Sequence, residues 1–103
     1  MQNQQKMMKQ LQQMQNRMAQ MQDELEATEV TGTAGGGAVT VVVNGKQKVL
    51  KVEIEPEALE EGPELLADLV LAAVNQALEA SADLAAKQMS SLTAGLGLPP
   101  GLI

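Results

Sequence analysis

Met7, Leu11, Met14, Met18, Met21 and Leu25 recur at alternating spacings of four and three residues, the narrow apolar seam of a helix that seeks a partner. Almost every other residue in that stretch is Gln, Asn, Lys or Arg, and acids enter only from Asp23 onward. So narrow a stripe belongs to a coiled-coil-like helix rather than to one half-sunk in a globular core. At about 1.5 Å per residue, a helix over 3–26 spans roughly 36 Å. A hundred-residue domain has a radius of gyration of only about 13 Å. The helix must therefore project from its own domain or lie against another chain. Function in such a chain rests on association and surface rather than on a pocket.

Composition narrows the chemistry. The 103 residues form one small domain and include no Cys, His, Phe, Tyr or Trp. Without His or Cys there is no ordinary base poised near neutral pH, no thiolate and no soft-metal site. We therefore expect no enzyme, no metal, no cofactor and no small-molecule substrate. Without aromatic rings nothing can stack on an unpaired base, which argues against a reader of single strands or RNA loops. The polar N-terminal stretch has no signal-peptide core, and no stretch is expected to reach the length of a membrane span. A cytoplasmic chain with no membrane partner is expected.

The net charge of −6 is strongly partitioned. Residues 1–22 carry Lys6, Lys9 and Arg17 and no acid, whereas 23–29 hold Asp23, Glu24, Glu26 and Glu29. Lys46, Lys48 and Lys51 make 30–52 basic, and 53–68 are acidic without a base. Blocks of this size either form a two-sided surface or solvate the fold.

The pattern predicts a helix over 3–27 and strands over 28–33, 38–43 and 46–55. Residues 34–37 form a flexible link between the first two strands, and Asn44-Gly45 forms a two-residue turn between the second and third. That turn pairs Val43 with Lys46 and Val39 with Leu50. It places Val39, Val41, Val43, Leu50, Val52 and Ile54 on one buried face, with Thr40, Val42, Gln47, Lys51 and Glu53 on the wet one. Pro56 opens a helical turn, and Gly62-Pro63 opens a second long helix over 63–92. Its expected inner face holds Leu65, Leu66, Leu69, Val70, Ala73, Val74, Ala77, Leu78, Leu84 and Met89. A domain over 1–95 with a C-terminal tail over 96–103 results. Its fold class is α+β, an α-β-β-β-α protomer with a three-stranded antiparallel sheet and two long helices. Such a sheet is marginal alone, so a dimer that joins cores and leaves helical arms projecting is expected.

Several segments together resemble a known family. The Met/Gln-rich first helix passes into Leu25-Glu26-Ala27-Thr28-Glu29-Val30-Thr31-Gly32, then a glycine run and Val39-Thr40-Val41-Val42-Val43-Asn44-Gly45. Val52-Glu53-Ile54-Glu55-Pro56, Asp68-Leu69-Val70-Leu71-Ala72-Ala73-Val74-Asn75-Gln76-Ala77 and Leu98-Pro99-Pro100-Gly101 follow. In that order they resemble the YbaB/EbfC family of nucleoid-associated proteins over nearly the whole chain. The resemblance implies a tweezer-like homodimer that binds double-stranded DNA in the cytoplasmic nucleoid. It also implies altered DNA conformation, with roles in nucleoid organisation and gene regulation. Family members often carry several bases in the second helical arm, where this chain has Lys87 alone, and Glu55 stands where an Asp usually precedes the helix-opening Pro.

Two readings of the surface follow. In one, Lys6, Lys9, Arg17, Lys46, Lys48 and Lys51 contact phosphates of double-stranded DNA, with little sequence preference. In the other they solvate the fold, and the chain is a protein-interaction adaptor or small chaperone-like module. The stripe from Met7 to Leu25 serves dimer or core packing, or a promiscuous Met-rich surface. Gly35-Gly36-Gly37 precedes a strand rather than a helix, so it reads as a linker and not a phosphate cradle. Asn75 reads as a hydrogen-bonded or register-setting residue within an apolar helix.

Overall fold

The computed structural model describes residues 2–95, so the expected tail over 96–103 lies outside the described residues. Its elements are α1 (Gln2–Ala27), β1 (Glu29–Ala34), β2 (Val39–Asn44), β3 (Val49–Ile54), α2 (Pro56–Leu59) and α3 (Pro63–Gly95). The sheet is antiparallel in the order β1-β2-β3. This is the expected α-β-β-β-α protomer.

The core is small and built from small residues. Val39, Val41 and Val43 alternate inward along β2 and meet Ala73 and Ala77 of α3. Opposite them on β1, on the same face, lie Ala34, Gly32 and Val30. A Cβ at Gly32 would stand 2.3 Å from the Ala73 carbonyl oxygen and 2.4 Å from the Ala77 nitrogen. Glycine is therefore what lets α3 lie directly on the strand. Leu66, Leu69, Val70, Val74 and Leu78 complete the packing from α3, while Leu65, expected inside, is 44% exposed.

Two turns differ from expectation. The link after Ala34 is a tight hairpin turn, with Gly35, Gly36 and Gly37 all left-handed at φ 65°, 68° and 96°. The β2–β3 connection is longer than a two-residue turn. Asn44 Oδ1 accepts the N–H groups of Lys46 (2.9 Å) and Lys48 (3.1 Å), Gln47 adopts φ 64°, and β3 starts only at Val49. Val39 therefore pairs with Ile54 and Val43 with Val49, in place of Leu50 and Lys46, and Leu50 is the extra residue of a bulge. The shift from Leu50 to Ile54 is even, so Val52 and Ile54 keep the face expected of them. That face is not buried at β3, because α3 packs chiefly across β1 and β2. Val49, Leu50, Val52 and Ile54 are 38–46% exposed.

One further expectation is corrected. By length and composition α3 is apolar enough to cross a membrane, although no stretch was expected to reach that length. Its alanines raise mean hydropathy while presenting little surface. Its buried residues Ala73 and Ala77 pack on the sheet.

Candidate nucleic-acid interface

The basic arm starts from a fixed joint. Gly45 donates its N–H to the carbonyls of Leu25 (2.7 Å) and Thr28 (3.0 Å), and the Thr28 hydroxyl donates to the Glu24 carbonyl at 2.6 Å. Leu25 and Met21 are buried there. From this joint α1 runs antiparallel to the end of α3. Leu25 lies by Ala82 and Ala85, Met21 by Gln88 and Ser91, and Arg17 by Gly95. Among the described residues, 2–16 extend beyond the end of α3 as an arm. About 50 Å for α3 and roughly 22 Å for that overhang account for a molecule 71 Å long and only 23 by 16 Å across.

The stripe is thus divided by the end of α3. Met21 and Leu25 are buried and Met14 is half-buried, whereas Met7, Leu11 and Met18 are 62%, 55% and 38% exposed. Beside it on the same helix, Lys6 and Lys9 stand one turn apart, and with Arg17 they fall within roughly 80° of arc. All are exposed, and none is ion-paired among the described residues.

The other candidate bases are elsewhere. Lys46 and Lys48 sit at the β2–β3 turn, about 28 Å along α1 from Lys6. The turn is held by Ser81, whose buried hydroxyl donates to the Asn44 carbonyl (2.7 Å) and accepts the Gln47 N–H (3.2 Å). Lys46 also pairs with Glu26 at 3.8 Å. Lys51 pairs with Glu53 on the outer face of the edge strand. The hydrogen bond and charge of Glu53, with a further contribution from Glu29, raise Lys51 above its ordinary pKa of 10.5. Lys51 is thus already matched by acids, and the bases do not form one patch. Sequence reasoning missed Ser81 as the support of the turn. Its only signal is its place in the small-residue series Ala73, Ala77, Ser81 at spacing four. Asn75, expected to be hydrogen-bonded, lies exposed on α3.

The largest cluster of acids lies at the other end of the molecule. Glu55, Glu57, Glu60, Glu61 and Glu64 cluster at α2 and the start of α3, roughly 46 Å along that helix from Gly95. With a screening length near 8 Å at physiological ionic strength, their charge does not reach the arm. Asp23 and Glu24 follow Arg17 by six and seven residues on α1, so the locally positive part is the acid-free stretch that carries Lys6 and Lys9. Among the described residues, no group of acids is arranged to hold a metal ion.

Residues 1–96 match the YbaB/EbfC DNA-binding family. The chain belongs to the YbaB/EbfC DNA-binding family. It is 49% identical over 98 residues to a nucleoid-associated protein of Pelotomaculum thermopropionicum, covering 94% of this chain and 93% of that one. A second nucleoid-associated protein, from Methylococcus capsulatus, is 43% identical over 95 residues, covering 92% and 89%. The fold is also that of the uncharacterized protein HP0035 from Helicobacter pylori. The TM-score is 0.73 and the identity 23%, over 80% of this YbaB/EbfC chain and 87% of that one.

Proposed function

We propose that this chain is a nucleoid DNA-binding protein that grips the backbone of double-stranded DNA through its α1 arm, with no catalytic step. The observation that carries this reading is the acid-free basic arm tip, held clear of the acidic end. Lys6, Lys9 and Arg17 neutralise phosphates and release counterions. Lys46 and Lys48 offer a second contact about eight base pairs away, taking roughly 3.4 Å per pair. No recognition-helix signature marks the arm, so backbone and shape, rather than base edges, are read. The bacterial nucleoid, within the cytoplasm, is the proposed location.

The proposed working unit is a homodimer. Among the described residues, β3 is an edge strand whose outer backbone edge is unpaired and whose apolar face is uncovered, a feature that otherwise invites aggregation. Joining two such edges about a two-fold axis covers Val49, Leu50, Val52 and Ile54 and leaves both α1 arms projecting. Two arms engaging separated stretches of one duplex would bend or stiffen it, and so bear on nucleoid organisation and gene regulation. The exposed Met7, Met8 and Leu11 favour the second reading, a protein-interaction adaptor. Protein partners that persist after nuclease treatment would support it.

The deciding experiment titrates the purified protein onto unrelated fluorescent duplexes across a salt series. Similar affinities that fall linearly on a log–log plot are expected. Absence of binding at low salt would overturn the DNA reading.

A further inference from the structure

The α1 stripe loses its cover where α3 ends. Met21 is 6% exposed beside α3, whereas Met7 and Leu11, beyond Gly95, are more than half exposed. Between them runs an open groove in which Met7, Leu11 and Met14 are flanked by Gln10, Gln13 and Arg17, with Gly95 at one end. Gly95 stands at its inner end, where an added Cβ would lie 3.3 Å from Arg17 Nη1. The chain therefore leaves α3 at the mouth of a groove with a methionine and leucine floor and a glutamine rim.

The sequence that follows suits this groove. Residues 96–103 read Leu-Gly-Leu-Pro-Pro-Gly-Leu-Ile, with no charged or polar side chain. Pro99 and Pro100 have no N–H group, so laying this stretch on methionine leaves fewer donors unpaired. Reach is sufficient: eight residues span at most about 26 Å, and Met7 lies roughly 15 Å along α1 from Arg17.

A second copy is a weaker occupant. The overhang offers about two heptads of seam, fewer than the three or four that sustain a coiled coil. A tethered segment, by contrast, acts at millimolar effective concentration.

We propose that residues 96–103 seat in the groove along Met14, Leu11 and Met7 and strap the arm to the end of α3. Lys6, Lys9 and Arg17, about a third of a turn around the helix from the stripe, stay open to solvent. The strap fixes the direction in which the arm points. It stands whether or not the arm binds DNA.

The chain lacks cysteine, so paired cysteines can probe the contact in the full-length protein. A disulfide requires Cα atoms about 4.4–6.8 Å apart. Leu11→Cys with Leu98→Cys is compared with Gln12→Cys and Leu98→Cys, which places the first thiol off the stripe. Intrachain disulfide should form roughly tenfold faster in the Leu11 pair, at a rate independent of protein concentration. Equal rates, or disulfides only between chains, would overturn the proposal, the latter assigning the groove to a second copy. In an independent measurement, Leu98→Ser with Leu102→Ser should speed amide exchange across 7–14 about tenfold. Exchange at Val39 and Val41 should stay unchanged, which establishes that the variant is folded. Unaltered exchange across 7–14 would equally overturn the strap.

Discussion

The N–H of Gly45 donates to the Leu25 carbonyl at 2.7 Å, and this contact ties the arm-bearing helix to the sheet. Gly45 is not among the residues at positive φ, so its lack of a side chain serves close approach rather than turn geometry. A Cβ there would lie 2.7 Å from the Leu25 oxygen and 2.8 Å from its Cδ2. The carbonyl is held by its hydrogen bond and cannot yield as a side-chain end can. Gly45→Ala should therefore cost about 1–3 kcal/mol. Chemical denaturation would read the loss, and hydrogen exchange should quicken over 18–27 before it does in β2. Gly32→Ala, which meets two backbone atoms of α3, should be the more damaging. A Gly45→Ala protein as stable as its parent would mean that α1 is not fixed at this joint.

Ser81 carries the next prediction. It is fully buried, donating to the Asn44 carbonyl and accepting the Gln47 N–H. Ser81→Ala leaves both groups without that partner and should lower stability by about 1–3 kcal/mol. Equilibrium unfolding in urea measures this. Backbone order at Lys46 and Lys48 should fall with it, visible as altered amide relaxation at the turn. An unchanged turn would remove Ser81 as its support.

The order of elements was legible because each has its own periodicity: spacing of four and three in α1, alternation in β2, and a long Ala/Leu pattern in α3. The β2–β3 register was not. Asn44-Gly45 is a strong two-residue turn signal, but the Asn44 side chain instead accepts two N–H groups beyond the turn. Burial of β3 was misjudged for a different reason. Val49, Val52 and Ile54 are as apolar as the valines of β2, and a single sequence does not say that α3 stops short of them. The bases of the candidate site were legible as residue types. Their division between arm tip, turn and outer sheet face depends on where α3 ends against Arg17.

Alkaline titration isolates one of those bases. Lys51 is raised above 10.5 by the hydrogen bond and charge of Glu53, against an opposing desolvation and with a lesser contribution from Glu29. A raised folded-state value favours the protonated lysine in the native state. Its contribution is fully present below the unfolded-state pKa and lost as pH climbs through the folded-state value, above about 10.5. Glu53→Gln should move the Lys51 midpoint back toward 10.5, followed by side-chain NMR titration. An unmoved midpoint would show that the pair with Glu53 does not persist in solution.

The arm itself is tested by the salt dependence of DNA binding. Each phosphate contact contributes about 0.9 to the slope of log affinity against log salt. Lys6→Ala with Lys9→Ala should therefore flatten that slope by about 1.8 for each engaged arm and weaken unrelated duplexes alike. Lys51→Ala should leave the slope in place, because Lys51 is already matched by Glu53 and Glu29. These substitutions lie on the exposed arm and the outer sheet face, away from the β2–α3 core, so they should leave the unfolding free energy within about 0.5 kcal/mol of the parent. Altered binding can then be read as altered contact. If the double variant keeps the parent slope, Lys6 and Lys9 do not touch phosphate. If Lys51→Ala flattens the slope instead, DNA lies on the outer sheet face and not on the arm.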